Sequence, residues 1–247
     1  MLNTDYKLMT KALALHLAKS APTLLHKNQA GFVPSRQISK QTQLLKMVLN
    51  FAEVTEENGM IVALDQAKVY NKIKHDYLWK TLRAFKIPDH FIHTVQNLYS
   101  NATTEVMING CLSSGFQVFR GVRQGDPLSC LLFNLGIEPL SLALKKSNLK
   151  GLTVPGSHEQ PIATLFADDT TVFLAEDDSL ADLTKILELW CFAASAQFNA
   201  SKTQIIPMGE KTFRERFIQE QRARDEHERI PMRIHITRDG ESVHTYT

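Results

Sequence analysis

Residues 162–174 constrain the fold more than any other stretch of this chain. Two apolar segments, 162–166 and 170–174, are joined by Ala167-Asp168-Asp169. Short apolar runs bounded by turn residues suit buried strands, and so tight a connection predicts an antiparallel hairpin. Solvating such a turn needs only one polar residue. Two adjacent carboxylates repel each other, and a divalent cation relieves that repulsion. Mg²⁺ is a hard ion that takes oxygen ligands, typically one or two carboxylates plus substrate phosphates. Acids are also common at hairpin turns, so the dipeptide alone leaves both readings open. The chain holds an internal comparison. Asp177-Asp178 precedes a helical pattern at 179–195, where acids cap and favour the helix N-terminus. That pair reads as structural.

Asp65 is a third acid of interest. It ends the apolar run 60–64 and is followed by Gln66, Ala67, Lys68, Val69 and Tyr70. At the edge of a buried strand it serves as a helix cap or as a ligand. If this strand pairs with the hairpin at 162–174, three carboxylates meet at one sheet end. Such a site clamps two metal ions and suits in-line displacement at phosphorus. A polymerase or a nuclease uses it.

The remaining pattern mixes helices and hairpins. Helical spacing marks 5–19, 38–57, 75–86, 88–99, 127–146, 179–195 and 211–229. The stretches 103–108 and 116–119 flank Asn109-Gly110 as a hairpin, and a short strand lies near 204–207. Helices and strands do not alternate as in βαβ units, so the class is α+β. The length of 247 residues suits one large domain or two small ones. With 43% hydrophobic and 22% charged residues, collagen-like, disulfide-scaffold and mostly disordered classes are excluded. Cys111, Cys130 and Cys191 are widely spaced and form no zinc pattern. They read as small buried hydrophobes in a reducing compartment. The chain shows neither a signal peptide nor an apolar run of membrane-spanning length, so an intracellular protein with no membrane partner is expected. Net charge is only +2. Residues 1–50, however, carry seven basic side chains against the single acid Asp5, which hints at a polyanionic partner.

Gly121-Val122-Arg123-Gln124-Gly125-Asp126-Pro127 opens the most apolar helical pattern. Two glycines permit close backbone approach to a ligand. Pro127 fits a first helical turn and Asp126 its N-cap. The stretch reads as a capped turn or as a surface on which a base or sugar packs.

Taken together, these segments resemble a reverse transcriptase of the non-LTR (LINE-type) retrotransposon family. The resemblance rests on five blocks in order across roughly residues 2–209. They are Asn28-Gln29-Ala30-Gly31-Phe32-Val33-Pro34-Ser35-Arg36, then Leu64-Asp65-Gln66-Ala67-Lys68-Val69-Tyr70. The stretch from Gly121 to Glu138-Pro139-Leu140 follows. Phe166-Ala167-Asp168-Asp169 and Phe198-Asn199 through Ser201-Lys202-Thr203 complete the set. The resemblance implies a right-hand polymerase with partial fingers at 1–58 and a palm at 59–209. A charged connector at 210–247 would lead toward a missing or incomplete thumb. It implies that Asp65, Asp168 and Asp169 are catalytic and hold two Mg²⁺ ions. Tyr70 would be the steric gate beneath the sugar. Gln124 and Gly125 would contact nucleotide and template, Lys202 would lie near the triphosphate, and Arg36 would either touch template or nucleotide or merely pair with an acid. The implied partners are an RNA template, a DNA primer and dNTP, and the implied location is nuclear.

Two positions depart from the family pattern. Asn71 stands where an acid is usual, and Cys130 replaces the usual Pro. The basic segment expected upstream of Leu2-Asn3-Thr4-Asp5-Tyr6-Lys7 is missing, and no complete thumb follows residue 210. The expectation is therefore a polymerase core cut from a longer polyprotein. Its alternative is an inactive remnant that at most binds nucleic acid.

Overall fold

The structure is a computed structural model that describes residues 3–154, 156, 160–199, 202–223, 233–235 and 242–243. In chain order its elements begin with α1 (Thr4–Leu24), α2 (Ile38–Thr55), β1 (Gly59–Leu64), α3 (Val69–Lys72), α4 (His75–Ala84) and α5 (Asp89–Ser100). Four two-residue strands follow: β2 (Thr103–Thr104), β3 (Met107–Ile108), β4 (Cys111–Leu112) and β5 (Phe116–Gln117). The rest are α6 (Ser129–Lys145), β6 (Ala163–Phe166), β7 (Asp169–Ala175), α7 (Leu180–Ala194), β8 (Gln204–Met208), α8 (Lys211–Ala223), β9 (Arg233–His235) and β10 (Ser242–Val243).

The main sheet has the order β10-β9-β8-β1-β7-β6. β1 lies at its centre, antiparallel to both β7 and β8. β6 and β7 form the expected hairpin. Alternation of side chains along β1 covers both faces of the sheet. Met60, Val62 and Leu64 enter the larger core with side chains of α4, α5, α6 and α7. Ile61 points the other way, into a smaller cluster with Val48 and Ala52 of α2, Phe173 and Met208. α6 is buried on nearly every side, including Leu131, Phe133, Leu135 and Ile137. A helix that is apolar all round belongs in a core rather than on a surface.

Element boundaries moved where tertiary contacts overrode local signals. α1 continues past Lys19 and through Pro22, because Ala21 and Leu25 are buried in the main core. α2 stops on Glu56, which is left-handed, before the expected Asn58-Gly59. The hairpin at 103–119 is not two continuous strands. It breaks into the pairs β2–β5 and β3–β4. Asn109-Gly110 makes the turn, with φ of 50° and 82°. Among the described residues no layer packs on this ribbon: Met107 is 68% and Ile108 66% exposed. An isolated hairpin without a buried face is marginal.

The cysteines are free, but only two are partly covered; Cys111 is exposed, contrary to the buried reading. Asp126 is not the N-cap of α6, whose first residue is Ser129. It caps the preceding turn instead, accepting from the Leu128 N–H at 3.0 Å. Asp178 is structural, though not as a helix cap. It accepts from the N–H groups of Lys150, Gly151 and Ala175 at 2.8–3.0 Å, and Ser179 caps α7.

Candidate active site

The site is built at one end of the central strands. Leu64 of β1 pairs with Thr170 of β7, so the next residue outward on each strand, Asp65 and Asp169, emerges at the same sheet end. Phe166 pairs with Asp169, which confines Ala167 and Asp168 to a two-residue turn. Gln66 ties the two strand ends together, donating from Nε2 to the Asp168 carbonyl at 3.3 Å. The chain after Asp65 is clamped by the later block. Asn199 N–H donates to the Asp65 carbonyl at 2.7 Å, and Ala67 N–H to Gln197 at 2.8 Å.

Electrostatics record the crowding. Burial, and then the charges of Asp168 and Asp65, raise the Asp169 carboxyl above its ordinary range. A cation at this end would relieve that repulsion. Among the described residues no three His, Cys, Asp or Glu side chains form a group able to hold a metal as they stand. The register aligns the backbones of Asp65 and Asp169 at one sheet end. Their donor set is all oxygen, which suits Mg²⁺.

The other expected residues fall into two groups. Tyr70 lies on α3, half-buried, with its ring 5.0 Å from that of Phe133. Burial, then Cys130 and Asp168, push its phenol up to about 12. Gln124 and Gly125 are exposed on the loop before α6. Gly125 has φ 77°, which a residue with a Cβ adopts only under strain. Gln124 also borders an open groove of about 590 Å³ with His75, Tyr99 and Arg120. Lys202 is exposed, and its N–H donates to the Asn199 carbonyl at 3.1 Å.

Arg36 is elsewhere. Its guanidinium donates to the carbonyls of His26, Gln29, Pro22 and Leu25 at 2.5–3.0 Å. Four of its five N–H donors are thereby used. Two of the carbonyls belong to the end of α1, where helical partners run out. The arginine expected on template or nucleotide is a strut between α1 and the next loop.

Several residues that shape the site were not singled out in the sequence. Arg123 is stacked between two rings, 4.7 Å from the Tyr6 centroid and 5.2 Å from that of Tyr99. It anchors the loop that carries Gln124 and Gly125. Tyr6 also donates its hydroxyl to Asp126 at 3.2 Å. His75 Nε2 lies 2.8 Å from the Gly121 carbonyl. Gln29 is fully buried and bonds to Ala167, the residue before the acids. Only the Gly121–Asp126 glycine pattern and the block holding Gln29 offered a signal for any of these.

An antiparallel edge hairpin carrying paired acids, laid against the central strand β1 and backed by helices, defines a polymerase palm of the right-hand type. Residues 1–223 match the family described as reverse transcriptase (RNA-dependent DNA polymerase). The chain belongs to that family. Its curated homologues are non-LTR retrotransposon proteins. The transposon TX1 uncharacterized 149 kDa protein of Xenopus laevis is 34% identical over 206 residues, which is 82% of this chain and 15% of that protein. The R2DM Pol polyprotein of Drosophila melanogaster is 33% identical over 145 residues, covering 59% of this chain and 13% of the polyprotein. The chain thus spans under a sixth of each of these two relatives. Among solved structures, telomerase from Candida tropicalis in complex with a fragment of telomeric RNA superposes with a TM-score of 0.60. The identity is 12%, over 79% of this chain and 33% of that one. That likeness concerns the fold.

Among the described residues no helix is long and apolar enough to cross a membrane.

Proposed function

We propose that this chain is the nucleotidyl-transfer core of an RNA-directed DNA polymerase of the non-LTR type. The observation that carries the reading is the Leu64–Thr170 register, which brings Asp65 to the end of the sheet where Asp168 lies in the turn and Asp169 begins β7. These three acids are the catalytic residues and the ligands for two Mg²⁺ ions. An RNA template, a DNA primer and dNTP are the substrates. In the reaction the primer 3′-oxygen bonds to the α-phosphorus, the bond to pyrophosphate breaks, and the hydroxyl proton passes to solvent water. Bound Mg²⁺ would supply positive charge for the attacking and leaving oxygens.

The chain's own residues position the reactants. Tyr70, packed on Phe133 beside Asp168, forms a wall that disfavours a 2′-hydroxyl. Gln124 and Gly125 offer an exposed surface to nucleotide and template. Lys202 places a positive charge near the triphosphate. On α1, Lys7, Lys11 and Lys19 are exposed; bound to nucleic-acid phosphate, they would make affinity fall with salt. A nuclear location fits a chain of this kind and is read by imaging a tagged copy.

The deciding experiment is primer extension on an RNA template with Mg²⁺. Incorporation well above an Asp168→Ala control supports the reading. Incorporation equal to that control overturns it and leaves a nucleic-acid-binding remnant.

A further inference from the structure

The turn that presents Asp168 is strained one residue earlier. Ala167 has φ 55°, a left-handed conformation that is costly for a residue with a Cβ. Its surroundings must hold it there.

The holder comes from far away in sequence. Gln29 is fully buried. Its Oε1 accepts two bonds, from Gly31 N–H at 2.9 Å and from Ala167 N–H at 3.1 Å. Its Nε2 reaches the Ala167 carbonyl at 3.5 Å. One side chain therefore meets both backbone polar groups of the strained residue. The loop that carries Gln29 is itself stitched to β6. Ala30 N–H donates to Leu165, and Leu165 N–H donates to Asn28, each at 2.9 Å. Gln41 Nε2 bonds both the Asn28 and Leu165 carbonyls, and Asn134 Nδ2 bonds the Gly31 carbonyl. Gly31 lies flat against the turn: a Cβ there would stand 2.2 Å from the Ala167 nitrogen.

We propose that Gln29 is a positioning residue for the catalytic turn. By clamping Ala167 in the left-handed conformation, it sets the direction in which Asp168 and Asp169 leave the hairpin. The inference rests on the reading of those acids as catalytic and extends it to a residue that touches neither substrate nor metal. It also makes the loop that precedes α2 part of the acid geometry. A side chain that merely fills the core would behave differently. Core filling is indifferent to the backbone preference of residue 167, whereas a clamp is not. Glycine adopts positive φ at little cost, so glycine at 167 makes a clamp dispensable.

Gln29→Met keeps the volume and removes the acceptor. Two measurements on the full chain read its effect: hydrogen exchange over residues 163–168, and Mn²⁺ binding by water-proton relaxation with Mn²⁺ alone as probe. We expect exchange in 163–168 to quicken and Mn²⁺ affinity to fall about tenfold. Adding Ala167→Gly to Gln29→Met should restore most of that affinity. Unchanged affinity in Gln29→Met overturns the inference, as does a loss that Ala167→Gly leaves unrepaired. If Gln29→Met fails to fold, recovery of the folded chain by Ala167→Gly supports the clamp, and persistent unfolding overturns it. Asp168→Ala separates the two levels. Native Mn²⁺ affinity in that variant defeats the reading of the acids, while exchange at 163–168 still decides the clamp.

Discussion

Leu64 faces Thr170 across the β1–β7 ladder, and that single pairing decides where Asp65 stands relative to Asp169. A slip of one residue would turn Asp65 to the opposite face of the sheet. Like charges held together cost stability and are retained where function uses them. Asp169→Asn should therefore raise the melting temperature while lowering dNTP incorporation about 100-fold or more. Calorimetry and single-turnover primer extension on the same preparation check both. A fall in both quantities would mean that the acid supports the fold rather than the chemistry.

Glu138 makes stability depend on pH. It lies on α6, only 1% exposed. Burial pushes its carboxyl from 4.5 to about 7, against the opposing pull of the His26 N–H and the Arg36 charge. Arg36 is the charged group that acts on it, while the His26 ring itself lies 3.0 Å from Lys145 Nζ. One Glu138 oxygen accepts from His26 N–H at 2.8 Å. The other has no partner among the described residues. The folded state binds this proton more tightly than the unfolded state. The stabilisation is therefore complete below about pH 4.5 and is lost as pH rises through 7, amounting to about 3 kcal/mol. Urea midpoints between pH 5 and 8 should decline in the native chain. They should stay flatter in Glu138→Gln, which should be the more stable chain at pH 8.

Arg36 gives a prediction opposite to its expected role. Lysine cannot reproduce a planar fork that meets four carbonyls. Arg36→Lys should destabilise the chain by about 2 kcal/mol and leave the KM for dNTP unchanged. A shifted KM with native stability would return the residue to the substrate.

The Tyr6–Asp126 bond links the first helix to the loop before α6. Asp126 is 4% exposed, so losing one of its hydrogen bonds should matter. Tyr6→Phe should cost about 1 kcal/mol in urea unfolding. Arg123→Ala, which removes the cation from between Tyr6 and Tyr99, should cost about as much again. It should also raise the KM for dNTP more than it lowers kcat, because the loop carrying Gln124 and Gly125 loses its anchor. Equal effects on both constants would point to global loosening.

Local chemistry made much of this molecule legible. The apolar runs at 60–64 and 162–174 are strands because β periodicity and turn residues agree there. The acid pair at 168–169 was ambiguous alone and stood out only beside Asp65 and the other blocks. The hairpin at 103–119 was overread, since strand propensity without a face to bury leaves only two-residue ladders. The partners of Arg36 were illegible for a related reason. Its motif context suggested a ligand, while the carbonyls that occupy it come from the end of a helix that local pattern stopped short of.

The sequence by itself determined the family and the α+β class and singled out Asp65, Asp168 and Asp169 as candidates, because those follow from residue type and spacing along the chain. The tertiary structure decided which groups constrain them. The Gln29–Ala167 clamp, the Tyr6–Arg123–Tyr99 stack and the buried Glu138 join residues that are up to 138 positions apart. No local propensity encodes such contacts. They arise when apolar faces close the core and leave each buried polar group to find its partner within reach.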